Sequence, residues 1–380
     1  MSRSNSFNEK LILNFFLKII DYLLSRYNKK NNILLKLKKF ILSLKAELIY
    51  KIEANKWSIL WDGKYITENL KKLGLLKAEI GTIFLSRNKI IHFGSINSIF
   101  REQGLTNLNK LNKIILTWFH IDPSDIRLKF VPLLNKKIDI LHTSSIITKK
   151  KLVELGFDKE KIVVIPLGVD LLNFIKFGEK KKDEIKKKLN LPSNKIIIGS
   201  FQKDGVGWGE GLEPKLVKGP DIFCEIAKKI YETHDIHIFL TGPARGYVKK
   251  KLKEYQIPFT HIFLHNYLDI VECYNALDLY LITSRAEGGP KALLEGMATG
   301  VPIVTTNVGM APMIIEHGIN GFITDIEDID GLSKYSLELI KSKKLRNKFI
   351  SNGLIKVKKY SWEKVAKNYY LKIYEKLLDE

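Results

Sequence analysis

The stretch from Ser284 to Val304, Ser-Arg-Ala-Glu-Gly-Gly-Pro-Lys-Ala-Leu-Leu-Glu-Gly-Met-Ala-Thr-Gly-Val-Pro-Ile-Val, constrains the fold more than any other part of this chain. It follows the apolar run Leu279-Tyr280-Leu281-Ile282-Thr283, which is short and continuous, as a strand buried on both faces should be. Gly288-Gly289-Pro290 then breaks the run, and Pro290 suits the first turn of a helix, where its missing N–H costs nothing. A strand, a glycine-rich turn and a helix N-terminus make a cradle for an anionic or polyhydroxylated ligand. Gly288 and Gly289 would let that ligand approach bare backbone. Glu287 sits in the turn, and Glu295 lies about two helical turns further on. A capped surface helix with two solvated acids accounts for fewer of these constraints at once.

The rest of the chain repeats the strand–helix alternation. Strands are expected at 57–61, 82–85, 89–93, 113–119, 138–142 and 161–166, and again at 195–199, 237–241, 261–264, 279–283 and 301–305. Short apolar runs separated by helical segments predict an α/β protein built on doubly wound parallel sheets. A chain of 380 residues accommodates two such domains. The charged stretch Lys180-Lys181-Lys182-Asp183-Glu184 and the break at Pro192 place the interdomain boundary within 170–194. The expected division is a basic amphipathic helical extension over 1–54, an N-terminal Rossmann-like domain over 55–185, a C-terminal one over 186–358, and a terminal helix over 359–380. Ser361 is the expected N-cap of that helix.

The formal net charge of +22 is mostly lysine. No nucleic-acid module or arginine-rich recognition segment accompanies it, so nucleic acid is not an expected partner. Residues 1–50 hold ten Lys or Arg and three acids, a net of +7. The first apolar run there is interrupted by Lys18 and Asp21, which makes it too short and too charged to span a bilayer. Two readings stand side by side: basic helices lying in an anionic membrane interface, or a helical extension packed on the first domain. Two cysteines without metal-ligand spacing fit a reducing compartment, so a cytoplasmic protein is expected, peripheral to the inner face of the membrane on the first reading. A cleaved signal peptide is not expected, because no small-residue cleavage site follows the apolar run.

The segment 284–304 resembles the donor-site signature of family 4 glycosyltransferases, which have the GT-B fold: two Rossmann-like domains facing a cleft. The match covers the glutamate spacing, Gly288, the Met297-Ala298-x-Gly300-x-Pro302 ending and the strand after it. It departs at Gly289, where an apolar residue is common, and at Gly296, where alanine usually follows the glutamate. The resemblance implies that Glu287 lies by the donor sugar, that Glu295 holds the ribose, and that Gly288, Gly289 and Pro290 offer backbone to sugar and phosphate. It further implies a terminal helix crossing back to the first domain.

A departing nucleoside diphosphate needs fixed positive charge. The resemblance places it on Lys218, in Lys218-Gly219-Pro220, and on Lys203, after the expected strand at 195–199. It likens His120, at the end of the strand 113–119, to the family's active-site histidine, with His92 as a rival. Asp62-Gly63-Lys64 is a candidate part of an acceptor loop. Gly205-Val206-Gly207-Trp208-Gly209-Glu210-Gly211 reads as a mobile loop over the cleft, and Arg245 as a surface residue. The only Asp-x-Asp, Asp328-Ile329-Asp330, reads as a helix-start cap, so no metal and no cofactor are expected; the nucleotide sugar is a co-substrate. The implied activity is transfer of a sugar, with retention, from a nucleotide-sugar donor to a glycan or lipid-linked acceptor in cell-surface polysaccharide or glycoconjugate synthesis. A nucleotide-sugar epimerase of the same fold and a non-catalytic sugar-nucleotide-binding protein are the alternatives.

Overall fold

The structure, a computed structural model, describes residues 2–27, 32–53, 58–101, 104–122 and 124–379. Two six-stranded parallel sheets dominate it. The first contains β1 (Leu48–Lys51), β2 (Ala78–Ile80), β3 (Ile90–Phe93), β6 (Lys113–Thr117), β7 (Ile140–Thr143) and β8 (Ile162–Val164), in the order β2-β1-β3-β6-β7-β8. Between β3 and β6, β4 (Phe100–Arg101) and β5 (Gly104–Leu105) form a small antiparallel pair. The second contains β9 (Ile196–Ser200), β10 (Ile236–Thr241), β11 (Phe259–Ile262), β12 (Leu279–Ile282), β13 (Ile303–Thr306) and β14 (Phe322–Thr324), in the order β11-β10-β9-β12-β13-β14. The central strands are dominated by buried Ile, Leu, Val and Phe, as parallel strands covered by helices on both faces require, while the edge strands β2, β8 and β11 are largely only partly buried. With helices between most consecutive strands, this is the expected two-lobed, doubly wound architecture.

The edges of the expected elements needed revision. The run expected to be a strand at 57–61 belongs instead to helix α3 (Ser58–Lys72); residue 57 lies outside the described residues. Its buried positions Asp62, Ile66, Thr67 and Leu70 recur at helical spacing, a pattern hidden by the density of apolar residues at its start. The first strand of the sheet is β1, inside the stretch expected to be a helical extension. Residues 82–85 form no strand; β2 precedes them. The expected division at 185/186 falls inside helix Glu179–Lys188, which is tied to the second lobe. There Lys182 reaches Asp278 at 2.7 Å and the Leu277 carbonyl at 2.8 Å, and Lys186 reaches Asp278 at 3.3 Å.

Ahead of β1, α1 (Ser2–Tyr27) and α2 (Asn32–Lys45) form a helical pair. The chain's last helices, Trp362–Tyr369 and Glu375–Asp379, joined by a π-helical turn, lie against the first lobe. Ser361 caps them through a bond from the Lys364 N–H. Their docking is polar as well as apolar. The His142 Nε2–H donates to the Ile165 carbonyl at 2.9 Å, which leaves Nδ1 to accept from the Thr117 hydroxyl at 3.0 Å. Thr117 then accepts from His92 Nε2 at 2.8 Å, and His92 Nδ1 accepts from the Tyr374 hydroxyl at 2.7 Å. Both imidazoles are fully buried and neutral, so His92 is a structural residue rather than a rival for the active site.

Burial lowers the pKa of both rings, that of His142 from 6.5 to about 4. A histidine that protonates more readily when unfolded stabilises the fold fully above pH 6.5 and loses that contribution as pH falls toward 4. For His142 the full loss is about 3 kcal/mol. Denaturant unfolding should therefore show stability flat above pH 6.5 and falling between 6.5 and 5, before most carboxylates titrate. A flat profile across that interval would contradict the buried network.

Candidate active site

In the second sheet the chain moves outward from β9 to β10 and β11, then returns to the other side of β9 to lay down β12, β13 and β14. The crossovers diverge between β9 and β12, and open α/β sheets bind ligands at such a switch point, beyond the strand C-termini. β9 is followed there by Phe201, Gln202 and Lys203, and β12 by Thr283, Ser284 and Glu287.

Two turns are bound together at this edge. Lys218 ends a 3₁₀ turn, and Gly219 follows it with φ +62°, the left-handed conformation that favours glycine. The Thr283 hydroxyl donates to the Gly219 carbonyl at 2.8 Å, the Gln202 amide to the Lys218 carbonyl at 2.9 Å, and the Arg285 N–H to the Val217 carbonyl at 2.9 Å. Arg285 also grips Asp221 through both terminal guanidinium nitrogens, at 2.9 and 2.7 Å. The result brings Lys218 Nζ to 2.6 Å from Glu287 Oε1, with the Ser284 hydroxyl donating to the same oxygen at 3.0 Å. Two residues expected in the donor site from sequence thus form one partly buried ion pair.

His120 faces this pair from the first lobe. It lines, with Thr148, Glu287, Asn307 and Gly309, a small cavity of about 40 Å³ between the lobes. Much of the residue is open to solvent. Its ring nevertheless loses enough hydration, and lies near enough to the Lys218 charge, to sit below the ordinary histidine pKa, with Glu287 pulling the other way. Lys215 was not singled out from sequence, because one lysine in a lysine-rich chain carries no signal. Burial, then the charges of Lys218 and Lys203, depress its pKa, so three lysines share the edge of this site.

Lys203 lies further along, on a cavity of about 680 Å³ lined by Phe201, Trp208, Gly242, Phe263, Asn266 and Tyr267. Its ammonium stands 3.9 Å from the centroid of the Trp208 ring. The glycine-rich loop that carries Trp208 is tied down rather than loose. Gly205 bridges Pro214, and the Gly246 and Tyr247 N–H groups bond the Glu210 and Gly211 carbonyls at 2.7 and 2.9 Å. Arg245, expected at the surface, is fully buried at the loop's base. It pairs with Asp204 at 2.9 Å and donates to the Ser200 and Thr241 carbonyls.

Glu295 is buried beneath the larger cavity. It accepts hydrogen bonds from the hydroxyls of Tyr267 and Tyr274, the latter at 2.9 Å, and burial raises its pKa against the opposing effect of Tyr267. Of these groups, Tyr267 lines the cavity. Gly288 and Gly289 face the first lobe: a side chain at 288 would meet Phe119 backbone and Cβ at 2.5 and 2.6 Å, and one at 289 would meet Leu167 at 2.7 Å. Pro290 precedes helix Lys291–Ala298 as its cap residue, so it sits one position earlier than a first-turn proline. Lys291 then pairs across the lobes with buried Asp62 at 2.6 Å, and Trp61 packs on Tyr267 with ring centroids 5.0 Å apart. Asp62 is therefore a lobe-to-lobe contact carried on α3. Asp328 caps helix Ile329–Lys341 by accepting from the Gly331 N–H at 2.8 Å, and Asp330 pairs with Lys229.

Comparison with known proteins bears on the fold and on the second lobe. Residues 211–355 match the family model described as glycosyl transferases group 1. An uncharacterized glycosyltransferase, MJ1178, of Methanocaldococcus jannaschii is 30% identical over 167 residues, 43% of this chain and 46% of the relative. The UDP-Gal:alpha-D-GlcNAc-diphosphoundecaprenol alpha-1,3-galactosyltransferase of Escherichia coli is 28% identical over 262 residues, 65% of this chain and 62% of that enzyme. The chain spans about half the length of the curated relatives it matches. Among solved structures, Anabaena Alr3699/HepE in complex with UDP and glucose superposes with a TM-score of 0.68 at 16% identity, covering 86% of this chain and 99% of that one. TarM of S. aureus superposes with a TM-score of 0.57 at 17% identity, over 77% of this chain and 55% of that one. The chain has the GT-B fold, and its second lobe is similar in sequence to the glycosyl transferases group 1 over residues 211–355.

Proposed function

We propose that this chain is a retaining glycosyltransferase of family 4, moving a sugar from a nucleotide-sugar donor to a glycan or lipid-linked acceptor in cell-surface polysaccharide or glycoconjugate synthesis. The observation that carries the reading is the Lys218–Glu287 pair at the switch point of the second sheet, faced by His120 from the first lobe. The names of the relatives favour a transferase, and the neighbour solved with UDP and with UDP-glucose favours a uridine nucleotide sugar as donor. The galactosyltransferase relative, named for a diphosphoundecaprenol-linked sugar, favours a lipid-linked acceptor.

On this reading the cavity of about 680 Å³ takes the nucleoside, a volume within the usual range for small-molecule sites. Lys218, Lys215 and Lys203 hold the diphosphate. As the anomeric C–O bond breaks, the electrons pass to the diphosphate, and those ammonium groups stabilise the growing negative charge. The acceptor oxygen bonds the anomeric carbon on the face the diphosphate leaves, and its proton passes to a departing phosphate oxygen, so no protein base is needed. Glu287 offsets positive charge developing on the sugar ring. His120, neutral at physiological pH because its pKa is depressed, offers one donor and one acceptor to sugar hydroxyls. Glu295 acts on the nucleoside through Tyr267 rather than directly. No metal or cofactor takes part, and the site of action is the cytoplasm, at the inner face of the membrane.

A thermal-shift screen of nucleoside diphosphates and their sugars tests the donor, since a ligand that binds the native state alone raises the melting point. Donor consumption that requires an acceptor identifies transfer; sugar isomerisation without one identifies an epimerase. Trp208 and Phe263 are both exposed aromatics on the rim of the nucleoside cavity, and Trp208 is the one that also carries the Lys203 ammonium. Replacing Trp208 with alanine should raise the Kd for a nucleoside diphosphate about tenfold, the scale of one base–aromatic stack. Inorganic pyrophosphate should lose much less, because Lys203 forfeits only its ring contact, and Trp208→Phe should restore the nucleoside preference. Equal losses for both ligands would place the tryptophan outside the base site.

A further inference from the structure

Helix α1 is apolar on two faces, and the partner helix covers one of them. Leu13, Leu17, Ile20 and Leu24 recur at spacings of four, three and four residues and pack against Leu34, Leu35, Phe40 and Ile41 of α2. Asp21 pairs with Lys38 across the two helices at 2.5 Å. At 100° per residue, Ile12, Phe15, Phe16 and Ile19 fall on the adjoining arc, away from α2. They are 55%, 63%, 50% and 38% exposed. Asn14, Lys18 and Asp21 occupy the remaining arc. A soluble helix of a hairpin should carry one apolar stripe; this one carries a stripe and a half.

From this we infer that the free face of α1 seats the protein in an anionic lipid surface, lying in the interface plane. Charge decides between occupants. Residues 1–50 carry a net +7, and Lys18, Lys36 and Lys39 are exposed on the pair. That charge repels a second copy of the same face and attracts acidic headgroups. Among the described residues no helix is long and apolar enough to cross a membrane, so the helix lies on the bilayer. Phe40 of α2 extends the apolar surface outward through Phe84, whose ring centroid lies 6.2 Å away and which is itself exposed.

The test uses the full chain and sedimentation with vesicles. Vesicles of equal parts phosphatidylglycerol and phosphatidylcholine should carry the protein down, and pure phosphatidylcholine vesicles should carry at least about tenfold less, with the difference shrinking in high salt. The double substitution Phe15→Asp/Phe16→Asp should reduce partitioning onto the anionic vesicles by more than about tenfold, with the melting temperature unchanged because both side chains already face solvent. Unchanged partitioning of that variant would overturn the inference. So would a wild-type dimer in solution that the variant turns into a monomer, which would assign the face to self-association, or a fall in melting temperature, which would assign it to internal packing. Because donor binding plays no part in the readout, the result is independent of the proposed activity.

Discussion

Lys218→Ala should lower sugar transfer by roughly a hundred- to a thousand-fold, the range seen when one preorganised electrostatic group is removed from a transition state. The expectation follows from position. Lys218 is the cation nearest Glu287, at 2.6 Å, and its backbone is held by Gln202 and by the Gly219–Thr283 contact. Alanine removes the charge without releasing the turn. It also leaves Glu287 partly buried with the Ser284 hydroxyl still donating to it, so the carboxylate repels an incoming diphosphate. The loss should therefore appear in both KM and kcat. Lys218→Arg should recover part of the affinity and little of the rate, because the guanidinium fork and the ammonium are different donors. A folded alanine variant with full activity would remove the site from this edge of the sheet.

Gly219→Ala should damage both stability and activity. A β-carbon at 219 would fall on the carbonyl oxygen of Thr283, and φ +62° is already unfavourable for any residue with a side chain. Relief requires moving backbone, because the obstructing atom belongs to the main chain at the end of β12. We expect a destabilisation of about 2–4 kcal/mol and a loss of transfer comparable to that of Lys218→Ala, since the displaced turn carries Lys218 away from Glu287. Gly74→Ala is the matched control. It has a similar φ of +67°, but nothing lies within 4 Å of the added carbon, and it lies far from the site in sequence and fold. It should cost about 1 kcal/mol and leave activity intact. Chemical denaturation and initial rates separate the two.

The legible parts of the sequence were those where several local rules coincide. The run from Leu279 to Val304 contains a strand, a backbone break and a helix, and the structure has all three. That Lys218 and Glu287 belong to one donor site was readable only through resemblance, because 69 positions separate them and no periodicity links them; their ion pair was not foreseen. Three features stayed hidden for physical reasons. β1 is four residues long and follows an amphipathic helix without a break, so its period is lost. Arg245 reads as a surface cation until Asp204, 41 positions earlier, is brought beside it. The two tyrosines over Glu295 come from other elements, and neither their spacing nor their type marks them as partners of a carboxylate. Pairwise burial of opposite charges is a tertiary event, and the primary sequence records it weakly.

The lobes are joined by two crossings of the main chain, and the crossings touch. Val169 N–H bonds the Tyr360 carbonyl at 2.9 Å, Trp362 N–H bonds the Val169 carbonyl at 3.3 Å, and a side chain at Gly168 would strike the Trp362 indole at 2.6 Å. Two crossings bridged between Val169 and Ser361 form a narrow joint, like the spine of a book. They let the covers swing apart about one axis while resisting sliding and twisting of one cover over the other. For the proposed transfer, such a swing would bring His120 back to the same register over Glu287 each time the cleft shuts.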